Sequence, residues 1–159
     1  MDIVHIKASF KGIKSRDFID YFMNPEGLSM VQEVKILERK DENDQSQYWR
    51  MKFPLMSARE NCTRLQVKQI GDDPNGKFLL GNSIKHPEAP HVEGAVQIFY
   101  FDRGLMSTNP EDPDVIDYET YSIISLGGYV PARLTNYTIA NENSKGLIDA
   151  YNFCFKNKK

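Results

Sequence analysis

Cysteine is scarce in this chain: Cys62 and Cys154 are the only two in 159 residues, too few for a disulfide framework. Histidine is scarce too. His5, His86 and His91 lie far apart and no CxxC or HExxH spacing occurs, so a metal centre has no ligand set to draw on. No apolar run approaches the ~20 residues that cross a bilayer. The opening segment, Met1–Phe10, lacks the basic start and long apolar stretch of a signal peptide. Charge of one sign is lacking as well. The 20 Lys and Arg nearly balance 22 Asp and Glu, for a formal net charge of -2, and Lys156, Lys158 and Lys159 form the only basic tail. Phosphate recognition needs a clustered basic surface, so nucleic acid is excluded as the main partner. These absences predict a cytoplasmic protein with no metal and no cofactor.

What is present is ordinary for a folded domain. Hydrophobic residues make up 40% and charged residues 26%. A chain of this length predicts one domain that buries about 68–70% of its unfolded surface. Residues Asp2–Phe10 alternate, with Val4, Ile6, Ala8 and Phe10 on one face, which predicts a half-buried strand. Ser15 stands where an N-cap belongs. Phe18, Ile19 and Phe22 follow as a helical stripe, stopped by Asn24-Pro25-Glu26-Gly27.

A long β region comes next. Val31–Arg39 and Tyr48–Phe53 alternate on either side of a polar stretch, Lys40–Gln47, that predicts a turn. Thr63–Ile70 and Lys77–Ile84 predict two strands about the turn sequence Gly71–Gly76. After a proline-bearing loop, Lys85–Gly94, the pattern predicts a strand over Ala95–Phe101. Asp102-Arg103-Gly104 then predicts a hairpin turn, with a return strand at Leu105–Thr108. Val115–Leu126 is the last and longest strand. Gly127-Gly128-Tyr129-Val130-Pro131 breaks the sheet and launches a terminal helix, whose Ile139, Gly146, Leu147, Ala150, Tyr151 and Cys154 recur at spacings of three, four and seven.

One long helix cannot cover both faces of so many strands. A curved antiparallel sheet around that helix buries one face of each, which makes the fold α+β. The small residues Gly146, Ala150 and Cys154 on the helix stripe predict one of two things: a space opposite the sheet, or close helix–sheet contact with none.

Three blocks carry a family resemblance. Tyr48–Glu60, reading YWRMKFPLMSARE, resembles the signature of START (StAR-related lipid-transfer) domains. It is a YWxxK-aromatic-Pro strand followed by a Ser-x-Arg-acidic step, closest in motif to the phosphatidylcholine-transfer branch. Ile84–Gly94 resembles the family's loop before its next strand. Leu126–Pro131, with Asn136 and Ala140, resembles its LGGWIP entry into the terminal helix. The resemblance runs from about Phe18 to Phe155 and implies the helix-grip fold shared with birch-pollen allergens. It implies one domain over residues 1–159, without the full N-terminal START extension. The implied function is a non-enzymatic one: a tunnel holds a single lipid, phospholipid or sterol, for transfer or sensing at a membrane surface, under a lid formed by Lys85–Gly94 and the terminal helix.

The resemblance also implies a cavity wall. Taking Thr63, Leu65 and Val67 as one inward set, the family pattern adds Leu79, Ile98, Tyr100, Tyr118, Thr120 and Ile124 from the sheet. Ile139, Leu147 and Ala150 join them from the helix. Each of these competes with plain core packing. The chain departs from the family at Arg59-Glu60-Asn61, where an Arg-Asp-aromatic step is preferred. Some phospholipid- and sterol-binding members have a cavity-facing arginine, and here the choice lies between Arg64 and Leu65. A slip of one residue reverses every side chain, so the choice decides whether a phosphate has a partner.

Other groups are expected to be structural. His86 and His91 read as solvated loop histidines, and Arg59 as a clamp on the strand entry through Glu60 or its own backbone. Asp117 and Glu119 share the face opposite Tyr118 and Thr120, so they point to solvent and no catalytic residue is assigned. A cavity enzyme of the polyketide-cyclase type is an alternative, and would place titratable groups with shifted pKa inside the cavity. A cavity-less interaction module is another.

Overall fold

The computed structural model describes residues 2–24, 31–53 and 55–156. The helix stop at Pro25–Gly27, Pro54 of the signature block, and Lys158 and Lys159 lie outside the described residues. In chain order the elements are β1 (Asp2–Lys11), α1 (Ser15–Met23), β2 (Val31–Asp41), β3 (Asp44–Met51) and β4 (Arg59–Gln69). They continue with β5 (Lys77–Ser83), β6 (Val96–Gln97), β7 (Phe99–Thr108), β8 (Val115–Ser125) and α2 (Ala132–Lys156). Seven strands form the order β1-β8-β7-β5-β4-β3-β2 with every neighbour antiparallel, and β6 alone runs parallel beside β4. The expected curved antiparallel sheet with a C-terminal helix is the fold that forms.

Strict alternation builds the inner face. On β8, Ile116, Tyr118, Thr120, Ser122 and Ile124 are buried and every residue between them is more exposed. Both helices lie on this face, but they fill only part of it. Phe18, Ile19 and Met23 of α1 pack with Phe10, Met106, Ile116 and Tyr118 of the sheet and with Ala150 and Cys154 of α2. A smaller cluster, Phe53, Ile124, Leu126 and Ile139, closes the other end. A solid half and a loosely filled half result.

Three local expectations are corrected. The turn predicted over Lys40–Gln47 shrinks to Glu42-Asn43, and Asp44–Gln47 are strand. Gln45 and Gln47 are buried there because they have work for their amides: Gln45 Nε2 donates to the Met23 carbonyl at 2.5 Å, and Gln47 Nε2 to the Met23 and Phe22 carbonyls at 2.9 and 3.2 Å. These carbonyls end α1 and lack helical partners, so two polar strand residues satisfy the helix terminus.

Ser15 is not the cap of α1. Lys14 holds that position, and the Ser15 N–H donates instead to Asn75 Oδ1, 3.0 Å away in the β4–β5 turn. The hairpin turn predicted at Asp102-Arg103-Gly104 does not form, for β7 runs unbroken from Phe99 to Thr108 against β8. Gly104 serves the packing of a neighbour: a Cβ there would lie 2.9 Å from the Tyr118 ring. Gly81 does the same for Tyr100, whose ring would be 3.0 Å from an added Cβ. Of the two readings open for the small residues of α2, close contact is the one realised. Ala150 and Cys154 sit in the solid core and permit close helix contact, while Gly146 meets nothing within 4 Å of an added Cβ. They line no hollow.

Candidate functional site

The hollow lies in the other half, between the sheet and the first turns of α2. Its volume is about 210 Å³. That exceeds the ~150 Å³ of a cavity that takes up benzene and falls below the ~300–1,000 Å³ of pockets for drug-sized ligands. β3 contributes Trp49 and Met51, and β4 contributes Asn61, Thr63 and Leu65. Leu79 comes from β5, Tyr100 and Asp102 from β7, and Tyr118 and Ile124 from β8, with Ile98 just ahead of β7. Phe22, Phe53 and Leu126 close the ends. Thr138, Ile139, Glu142 and Asn143 of α2 form the remaining wall.

Eight of the expected wall residues meet here: Thr63, Leu65, Leu79, Ile98, Tyr100, Tyr118, Ile124 and Ile139. Val67, Leu147 and Ala150 pack with the solid core instead. Helix geometry explains the last two, because one turn spans 3.6 residues and the hollow ends with Asn143. Thr120 is buried behind the wall, where its hydroxyl donates to Asp102 Oδ1 at 2.7 Å.

The register settles which side chain of β4 turns inward. Leu65 is buried on the cavity wall, and Arg64 points the other way to pair with Asp44 through Nε and Nη2. Among the described lining residues there is no lysine, arginine or histidine.

The polar centre of the site is Asp102, which the turn-like Asp-Arg-Gly pattern conceals. The residue is only 4% exposed. Oδ1 accepts hydrogen bonds from the hydroxyls of Thr120 and Ser122, and Oδ2 takes none from the described residues. Burial pushes the carboxyl above its ordinary value, opposed by those two hydrogen bonds and by the charge of Arg103. Burial likewise holds the Tyr100 and Tyr118 phenols far above their usual range, and the nearby Asp102 adds to the effect. Two further buried polar atoms on this wall, Trp49 Nε1 and Glu142 Oε2, have no partner among the described residues.

Outside the cavity, Arg59 is a clamp. Its guanidinium donates to the Leu126 carbonyl at 2.8 Å and to the carbonyl and hydroxyl of Ser57, tying the start of β4 to the end of β8. Glu60 points to the opposite face and is fully buried. It accepts from Tyr48 Oη at 2.9 Å, His91 Nδ1 at 2.9 Å, Gln97 Nε2 at 2.5 Å and the Val92 N–H at 3.3 Å. Burial alone would raise its carboxyl, but the bonds from Tyr48, His91 and Val92 hold it below the ordinary value. His91 is solvent-exposed, as expected, and its bond to Glu60 fastens the loop after β5 to the sheet. Asp117 and Glu119 lie on the outer face, bonded to Ser9 and to His5 and Lys7.

No family model matches the chain, and no curated protein matches its sequence. Solved structures do match. Human StAR-related lipid transfer protein 5 superposes over 99% of this chain and 77% of its own length, at TM-score 0.80 and 15% identity. Human STARD10 covers 97% of this chain and 63% of its own, at TM-score 0.80 and 17% identity. The Zhui aromatase/cyclase from Streptomyces sp. R1128 covers 99% and 97%, at TM-score 0.63 and 10% identity. Likeness at such low identity is a likeness of fold. The chain has the START-like helix-grip fold, a bent antiparallel sheet closed around its last helix.

Proposed function

We propose that the protein binds one lipid or similar hydrophobic molecule in this cavity and carries or senses it in the cytoplasm, exchanging it at membrane surfaces. The observation that supports this most is the partly open, largely apolar cavity itself. The other half of the same interface is a packed core cluster, and space left beside such a core is ordinarily kept for a ligand. Moving an alkyl chain out of a membrane into water costs about 0.8 kcal/mol per CH₂, and an apolar wall removes that cost. The fold likeness to lipid-transfer proteins points the same way. Of the two expected ligand classes, phospholipid and sterol, the wall suits the sterol better, since a phosphate would find no cation. That also weakens the link to the phosphatidylcholine-transfer branch.

Native mass spectrometry of the purified protein, before and after incubation with mixed-lipid vesicles, tests the proposal. One bound apolar molecule per chain is expected. Protein that emerges with bare mass from every mixture contradicts it.

A cavity enzyme is a second reading, favoured by one observation: Asp102, Tyr100 and Tyr118 form the shifted titratable group that such an enzyme needs. The fold likeness to an aromatase/cyclase belongs with it. The molecule recovered after long incubation separates the two readings. A carrier returns its ligand unchanged, and an enzyme returns a product.

A further inference from the structure

A molecule that fills the hollow strips water from the polar atoms lining it, and two of those atoms are carboxylate oxygens. Asp102, on β7, is only 4% exposed. Thr120 and Ser122 donate to its Oδ1, and its Oδ2 takes no hydrogen bond from the described residues. Those two bonds fix the carboxyl, so the open oxygen is held in place on the wall. Glu142 borders the same hollow from α2, and its Oε2 is buried without a partner among the described residues. Among the described lining residues no cation answers either group. Burial already opposes the charge on Asp102. An uncharged ligand makes that worse, because it displaces water from both oxygens and returns few donors. A cation reverses the sign, since both carboxylates border one space of about 210 Å³ and attract it together.

We propose that the cavity takes a cationic amphiphile, one protonated amine on an apolar body, and that Asp102 and Glu142 hold its ammonium group between sheet and helix. The inference rests on the carrier reading above and names the ligand class. It goes past the choice between phospholipid and sterol: a sterol leaves both carboxylates desolvated, and a phospholipid brings a phosphate to a wall without a cation. The donor count agrees. A primary ammonium has three N–H donors. Asp102 Oδ2 and Glu142 Oε2 take two of them. Asn143 offers a third acceptor, because its side-chain nitrogen donates to the Ile139 carbonyl at 2.7 Å and its oxygen takes no bond from the described residues. The rings of Trp49, Tyr100 and Tyr118 border the same space, and an aromatic face attracts a cation within about 6 Å.

The test is a calorimetric titration of the full chain at neutral pH with four probes that share one alkyl tail: decylamine, decyltrimethylammonium, decanol and decanoate. Decylamine is protonated there, as a lysine side chain is. Wild type is expected to bind it roughly tenfold or more tighter than decanol, the size of effect that charge-assisted hydrogen bonds supply. Decyltrimethylammonium carries the charge without N–H donors and should fall between them, and decanoate should bind weakest. Asp102→Asn keeps an oxygen for Thr120 and Ser122 but turns a donor toward the ligand, so the amine-to-alcohol ratio should fall to within about threefold. Glu142→Gln, a swap of equal size on the helix, should lower the same ratio by about threefold, and circular dichroism reports whether each variant keeps its fold. Equal affinity for amine and alcohol in wild type overturns the inference. So does tightest binding of any other probe, or an unchanged ratio in either folded variant. If all four probes bind alike, the charge recognition falls and the carrier stands. If none binds, both fall.

Discussion

Asp102 shows how a single residue can hide its role. Asp-Arg-Gly is turn vocabulary, and in the sequence it ends one strand and begins the next. In the fold its glycine clears room for the Tyr118 ring, its arginine turns to the outer face and stacks on Phe101, and its aspartate enters the cavity. Period-two alternation from Ile98 through Tyr100 would have placed Asp102 inward had the turn signal been set aside. The buried carboxyl has a thermodynamic signature. Burial raises its pKa in the folded state, so the folded chain takes up a proton more readily than the unfolded one. Stability contributed in this way is present below the ordinary value of 3.8 and is lost as pH rises through the raised folded value. Tyr100 and Tyr118 stay neutral across that range, and Arg103 only moderates the shift. Asp102→Asn is therefore expected to be more stable than wild type at neutral pH, with the difference shrinking as pH falls through the raised folded value and constant below the ordinary 3.8. Urea denaturation at several pH values measures it, and a variant less stable at pH 7 than at acid pH, relative to wild type, contradicts the assignment.

At the scale of elements, the strands were legible and the helix faces were not. Alternation in Asp2–Phe10, Thr63–Ile70 and Val115–Leu126 places the strands within a few residues, because one face of each is wet and the other dry. Asp44–Gln47 escaped because buried glutamines look like turn residues until a helix end is found beside them. For α2 the small-residue stripe left a space and a close contact both open, and the contact is what forms. Ala150 and Cys154 are small because α1 lies against them, and the cavity-facing residues, Thr138, Ile139, Glu142 and Asn143, mix polar with apolar and make no pattern. Gly146 gives this reading a test. It sits inside a helix, and an added methyl would meet no atom within 4 Å. Gly146→Ala should stabilise the protein by about 0.5–1 kcal/mol through helix propensity, read from the thermal or urea midpoint, and should leave ligand affinity unchanged. A loss of affinity would mean that this turn of the helix faces the ligand.

At the scale of the molecule, the architecture follows from having more sheet than two helices can cover. α1 and the second half of α2 fill one end of the inner face, and the first half of α2 spans the other end without filling it. The order of the three family-like blocks made this fold legible, since each falls at a junction: the β3–β4 edge, the loop after β5 and the entry to α2. Which wall residues surround the hollow was only partly legible, because Val67, Leu147 and Ala150 obey the same periodicity as their cavity-lining neighbours. The most direct measurement uses Trp49, the only tryptophan in the chain and a residue of the wall. Anthracenemethanol, an apolar alcohol that absorbs where tryptophan emits, is titrated into the protein while Trp49 emission is followed. The account predicts saturable quenching with one probe per chain and matching emission from the anthracene. Trp49 fluorescence that stays constant up to the solubility limit of the probe, in protein that remains folded, would contradict it.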